Sequence, residues 1–337
     1  MRVTRDTLLK LARQTVQERM AADEGILAAY LTGSLLGEDP FLGGAADIDL
    51  VFVHRSAPPA SREIVRLSNE ISLDLLHRKK ADYQPPRELR ARPRLGYEMY
   101  DPQLIQDTEH FFEFTQASVR AGFDDPANLM QRAYAFLRSA RERWMGLQFG
   151  EQDAGPEGIG KYLQAVEDAA DVVAVLTGPP LTERRFLPTL QSRAAAIGRP
   201  GLSAGISGLV GGLDLDPARL REWLPAWESA FLAAGETHRY DPRLHAARLD
   251  YYRRGIESWL DGDTPLAALW PLLQTWSLAA SALPADSRHR QSWQSACAAL
   301  GLGGEGFAER LDGLDQYLDS LDEMLEGMTA QYGLEPM

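Results

Sequence analysis

The stretch "YLTGSLLGEDPFLGGAADIDLVFVH", Tyr30 to His54, sets two aspartates, Asp47 and Asp49, inside what otherwise reads as a buried strand. A strand alternates its faces with period two, so Asp47 and Asp49 point one way while Ile48 and Leu50 point the other. Two carboxylates side by side repel, and keeping both ionised on a half-buried sheet calls for a cation between them. Hard oxygen ligands of this kind suit Mg²⁺ or Mn²⁺. The plain alternative is an exposed strand face, but "IDLVFV" is too apolar for that.

Upstream, the Gly33-Ser34 pair interrupts another apolar run, "ILAAYL". If that run is a strand and a helix begins near Ser34, the backbone N–H groups there and the Ser34 hydroxyl converge on one spot, where the helix dipole favours an anion. Gly33 lets backbone and anion approach with no Cβ between them. Ser34 also suits a helix N-cap, and the two roles are compatible. An anion cradle beside a dication site describes a site for a metal-bound nucleoside triphosphate. The turn formers of "GEDPFLGGAA" supply the connection between the two halves.

The rest of the chain frames this site. At 337 residues it is comfortable as two domains, each large enough to bury a core. A net charge of −13 argues against a general nucleic-acid or anionic-membrane binder. One cysteine, Cys297, excludes an internal disulfide and any multi-cysteine metal cage. The N-terminal stretch has no apolar h-region and no run approaches membrane-spanning length, so the expected location is cytoplasmic. Up to about residue 124, short β-like runs alternate with helical ones: a helix over about 5–21, then "ILAAYL", "DIDLVFVH" and "ISLDLLH", with "REIVRLSNE" between the last two. From 125 the pattern turns almost wholly helical. "FGEQDAGPEGIG" reads as a loop, and the six glycines from Gly198 to Gly212 read as loose helix packing or a mobile connection. Phe307, Leu311, Leu314, Leu318, Leu321, Leu325 and Met328 form a heptad seam, expected to pack within a helical bundle rather than in a coiled-coil dimer.

The Gly-Ser pair, twelve intervening residues and then Asp-Ile-Asp-Leu resemble the signature of the nucleotidyltransferase superfamily that includes DNA polymerase beta and the antibiotic-modifying nucleotidyltransferases. The resemblance implies an α+β chain: a small mixed sheet with helices over 1–124, then an all-α bundle over 125–337, in a layout like that of the kanamycin-type enzymes. It also implies a third carboxylate on a later strand, and Asp74 in "ISLDLLHRK" stands at the matching place. Tyr100-Asp101 in "GYEMYDPQ" is similar to a hydrophobic-Tyr-Asp element near the end of that domain in aminoglycoside nucleotidyltransferases.

The activity so implied moves a nucleoside monophosphate from an NTP, ATP first among them, to a hydroxyl, with Mg²⁺ or Mn²⁺ held by Asp47, Asp49 and Asp74. The base is Asp74, if it does not bind metal, or a glutamate of the helical domain, Glu142 first; Glu167, Asp168 and Asp171 are weaker candidates. The acidic helical domain suits a cationic small molecule, aminoglycoside-like, better than an RNA. Other readings stay open: a nucleotide-binding regulator or antitoxin-like protein with a protein partner or a homodimer, and nucleotidylation of a protein side chain. The seven basic residues from Arg78 to Arg94 are open between a solvated face and a role in meeting triphosphate, while His54 and His77 read as surface or hydrogen-bonded structural residues.

Overall fold

Leu8, Ala12, Val16 and Met20 recur every fourth residue and are the buried stripe of helix α1 (Arg5–Ala22), whose N-cap Thr4 accepts a hydrogen bond from the Thr7 backbone N–H at 3.3 Å. In this computed structural model, which describes residues 3–58, 60–150, 154–237 and 241–336, that stripe lies on one face of a five-stranded sheet. The strands are β1 (Ile26–Thr32), β2 (Ala46–His54), β3 (Arg62–Arg66), β4 (Ile71–Lys79) and β5 (Gln103–Asp107), in the order β3-β4-β2-β1-β5. The β2–β4 pair is parallel and all others are antiparallel, so the sheet is mixed. Segment 62–66 is thus a strand and not a helical link. Its Arg-Glu-Ile-Val-Arg alternation lets it pair with β4 through a tight turn, which five residues can do and a stable helix cannot.

Ile48, Leu50 and Phe52 of β2 face α1, while Val51 and Val53 face a second layer that holds Tyr83, Leu89, Met99, Phe112 and Phe123. That layer contains α2 (Leu95–Tyr100) and α3 (Phe111–Arg120). The basic run stitches it together. Arg78 pairs with Glu98 at 2.7 Å, Lys80 with Glu109 at 3.0 Å, and Arg90 and Arg92 donate to the carbonyls of Ser118 and Asp82. Tyr100 stacks on Phe123 and donates to Asp124 at 3.0 Å, and Arg120 holds both the Tyr100 carbonyl and Asp101.

On the α1 side, His54 Nε2 lies 2.9 Å from His77 Nδ1, with Asp23 beyond His54 and Glu63, itself paired with Arg19, beyond His77. Burial holds both imidazoles below the ordinary value near 6.5, against the pull of Asp23 and Glu63. The unfolded chain therefore binds more protons than the folded one below about pH 6.5, so this contribution to stability is intact above that pH and is lost as pH falls toward the lowered folded values. The urea midpoint is expected to drop between about pH 7.5 and about pH 5.5, and the drop to shrink when His54→Asn and His77→Gln are combined. An equal drop in the double variant would remove the histidines from the account.

The chain divides into two compact units, Met1–Asp125 and Pro126–Met337. The second is built from α4 (Pro126–Gln148), α5 (Pro156–Ala174), α6 (Phe186–Ala196), α7 (Gly201–Leu209), α8 (Pro217–Gly235), α9 (Leu249–Leu260), α10 (Leu269–Ala282), α11 (Arg288–Ala299) and α12 (Glu305–Gln331). The architecture is α+β, a small mixed sheet followed by helices. Helix α5 starts inside the segment expected as a loop, because Pro156 suits the first helical position after Gly155; residues 151–153 of that segment lie outside the described ones. The glycine-rich segment packs tightly only in part, since a Cβ on Gly198 or Gly201 would meet nothing within 4 Å. A Cβ on Gly205 would come within 2.8 Å of the Tyr317 ring, and one on Gly211, at φ +76°, within 2.3 Å of the Leu300 carbonyl. The α12 seam is buried from Phe307 to Leu325 among neighbouring helices of the same unit, with Met328 half-buried, and Arg141 of α4 pairs with Asp315 and Asp319 at 2.6 Å each. No helix among the described residues is long and apolar enough to cross a membrane.

Candidate functional site

Sheet register assembles the site. Thr32 of β1 stands opposite Asp49 of β2, and Asp49 opposite Asp74 of β4; one step along, Asp47 stands opposite Ser72. Paired residues share a face, so Asp47, Asp49, Ser72 and Asp74 all lie on the side of Val51 and Val53, toward the starts of β2 and β4. Carboxylate oxygens from Asp47, Asp49 and Asp74 fall within 4.8 Å of one another, the one group of three or more such ligands among the described residues. Asp47 and Asp74 are buried and Asp49 is half-buried.

Contacts from neighbouring strand residues reach into this group. The Ser72 hydroxyl donates to Asp47 Oδ1. Arg62 of β3 forks onto Asp74, Nε to Oδ1 at 2.7 Å and Nη2 to Oδ2. Neither Ser72 nor Arg62 stands out in the sequence, although Ser72-x-Asp74 repeats the period-two spacing of Asp47-x-Asp49 one strand over. Arg62 becomes a neighbour only once its segment is known to be a strand.

The chain leaves β1 through Gly33 and Ser34, the opening residues of a one-turn 3₁₀ helix, Gly33–Leu36. A helix thus begins where the sequence predicts one, but it is a single 3₁₀ turn. Gly37-Glu38-Asp39-Pro40 ends it after one turn, because the chain must double back toward β2. A two-residue turn at Gly43-Gly44, with φ of +62° and +76°, completes the return between the bridged residues Leu42 and Ala45. So short a helix has no dipole of consequence, and any anion contact at Ser34 rests on its local N–H and hydroxyl groups alone. The turn is nonetheless fixed from behind: Leu35 is fully buried, and Arg5 Nε donates to the Leu35 carbonyl at 3.1 Å.

Gly33 ties this turn to the carboxylates. Its φ is +74°, and a Cβ placed on it would lie 2.0 Å from Asp49 Oδ2 and 2.7 Å from Asp49 Cγ. The exposed Gly33 backbone therefore lies directly against the Asp49 carboxylate, an approach only glycine permits.

The donor set fits a hard divalent ion. An octahedral Mg²⁺ with bonds of about 2.1 Å spaces its ligand oxygens at about 3 to 4 Å, within the 4.8 Å that bounds the three carboxylates.

Glu142 stands on α4 of the second unit with its side chain exposed. Two of the other acidic candidates there serve the helices: Asp168 accepts from Ser139 at 2.8 Å and pairs with Arg143 at 3.2 Å, and Asp171 accepts the Leu181 N–H at 2.7 Å, while Glu167 also stands on α5. Comparison of the chain with protein-family models and with characterised proteins finds no match to either.

Proposed function

We propose that the chain is a divalent-metal-dependent nucleotidyltransferase that moves a nucleoside monophosphate from a nucleoside triphosphate, ATP first among them, to a hydroxyl of a small cationic molecule of aminoglycoside-like chemistry. The observation that carries this reading is the contact between the Gly33 backbone and Asp49, within a set of three clustered carboxylates. A glycine turn pressed against ion-binding carboxylates is what a metal-bound triphosphate needs, because its phosphate oxygens must meet N–H donors and cation together.

In this reading Asp47 and Asp49 hold the ion and Gly33 and Ser34 receive phosphate oxygens. Asp74 completes the ion's ligands or takes the proton of the acceptor hydroxyl, with Glu142 the alternative base. A divalent ion, when bound, would offset the triphosphate charge and stabilise the entering and leaving oxygens. The acceptor oxygen bonds to the α-phosphorus as the α–β anhydride bond breaks, the hydroxyl proton passes to the carboxylate, and pyrophosphate leaves.

The test is incubation of the full chain with each labelled NTP, Mg²⁺ and a panel of acceptors that includes aminoglycosides and basic proteins, scoring pyrophosphate and labelled product. Product on a small cationic acceptor supports the proposal. Triphosphate binding without pyrophosphate release points to a nucleotide-binding regulator, and label on protein points to side-chain nucleotidylation. Ser34→Ala is expected to weaken triphosphate binding about tenfold while leaving nucleoside binding unchanged, since the lost contact is to phosphate. Equal weakening of both ligands would reduce Ser34 to a structural residue.

A further inference from the structure

We propose that Arg62 is the resting counter-ion of the carboxylate site, standing in for a cation at Asp74 so that the divalent ion is taken up with the triphosphate rather than kept as a resident. The proposal rests on the metal-dependent reading above and adds to it an order of binding.

Three carboxylates within 4.8 Å, two of them buried, repel strongly without positive charge nearby. Arg62 supplies that charge from a neighbouring strand. In the β3–β4 register it stands opposite Leu76, while Asp74 stands opposite Ile64, so the guanidinium reaches Asp74 on the diagonal of one sheet face. There it engages both oxygens of Asp74, and the Ser72 hydroxyl engages Asp47. The protein has thus furnished internal donors for Asp74 and Asp47.

The consequence is electrostatic. An entering dication meets carboxylates whose charge Arg62 already offsets in part, and it must share Asp74 with a planar, permanently charged guanidinium in a forked geometry. Its net attraction to the protein alone is weakened. A triphosphate changes the balance, because it brings several negative oxygens of its own as further ligands, and Mg²⁺ is ordinarily held by one or two carboxylates plus substrate phosphates. Arg62 is therefore a positioning residue: it acts on the ion through Asp74.

The test uses the full chain without nucleotide and Mn²⁺ as the probe, followed by the paramagnetic signal of the free ion. Arg62→Gln is expected to bind Mn²⁺ about tenfold more tightly than the unaltered chain, whereas Arg62→Lys, which keeps the charge, stays within about threefold of it. A structural role alone would not tighten binding. Asp49→Asn in the Arg62→Gln background is expected to abolish the Mn²⁺ binding. A second measurement does not depend on how well the variants fold. The thermal midpoint of the unaltered chain is expected to differ by only about 1 °C between chelator and millimolar Mn²⁺, because an ion that binds weakly stabilises little. Equal or weaker Mn²⁺ binding by Arg62→Gln, or a rise of many degrees in the unaltered chain, overturns the inference. If Mn²⁺ binding nevertheless disappears with Asp49→Asn, the metal-dependent reading still stands. Mn²⁺ binding indifferent to Asp49 in every background removes both.

Discussion

Gly33→Ala is expected to abolish metal-dependent triphosphate binding while leaving most of the chain folded. The substitution adds one methyl group, but at the worst place in the site, 2.0 Å from Asp49 Oδ2 and on a residue at φ +74°. The left-handed conformation costs a non-glycine residue about 1–2 kcal/mol. The overlap cannot be tolerated at all, so either Asp49 rotates away from Asp47 and Asp74 or the turn lifts off β2. Both break the alignment of phosphate donors with carboxylates, and misplacement by about 1 Å in such a site is worth about a hundredfold. Calorimetric titration with Mg²⁺ and a non-hydrolysable ATP analogue should give no measurable heat, against a far-ultraviolet dichroism spectrum like that of the parent. An alanine variant that binds the analogue as the parent does would remove the Gly33 turn from the nucleotide site.

Asp47→Asn and Asp49→Asn are each expected to lower Mg²⁺-dependent triphosphate affinity or turnover by about two orders of magnitude, with little loss of fold. Each keeps the volume of the side chain and removes a charge. In Asp47→Asn the amide oxygen can still accept the Ser72 hydroxyl, so the buried contact between β2 and β4 survives. In Asp49→Asn a half-buried negative charge beside two others is relieved, and in chelator the thermal midpoint should hold or rise. Variants whose triphosphate binding responds to Mg²⁺ as the parent's does would sink the assignment of these carboxylates.

The centre of the site is legible in the sequence because its parts are close along the chain and strand periodicity is rigid. Once "DIDLVFV" is a strand, Asp47 and Asp49 must share a face, and the run of apolar residues after them marks a strand covered on both sides. Asp74 is reached only through the resemblance, which asks for a carboxylate on a later strand, and the parallel β2–β4 register sets it beside Asp49. What lies outside local pattern is harder to read. Residues 62–66 are too few and too mixed for periodicity to separate strand from helix, and with them goes Arg62. The positive charge of 78–94 is plain, but only the packed second layer assigns Arg78 to Glu98 and Arg90 to the Ser118 carbonyl. The helix expected to begin near Ser34 does begin there, but a chain that must return beside β1 has no room for a second turn, so the dipole expected of it is missing. Glu142 carries no distinguishing local pattern among the acidic residues of the helical unit, and its exposure on α4 adds none.

Strand order also ranks the parts of the site by how readily each comes loose. β2 is bonded on both sides, by β4 and β1, and β4 is bonded by β2 and β3, whereas the five-residue β3 is bonded on one side only and stays partly exposed along its length. Backbone amides on the central strands exchange with solvent only on global opening, while a short edge strand frays through far smaller excursions. The three carboxylates belong to β2 and β4, and the guanidinium that neutralises one of them rides on β3. Fraying of that edge therefore takes the guanidinium off Asp74 before the carboxylates themselves lose their alignment, so the attraction for a cation rises with the ligands still in place.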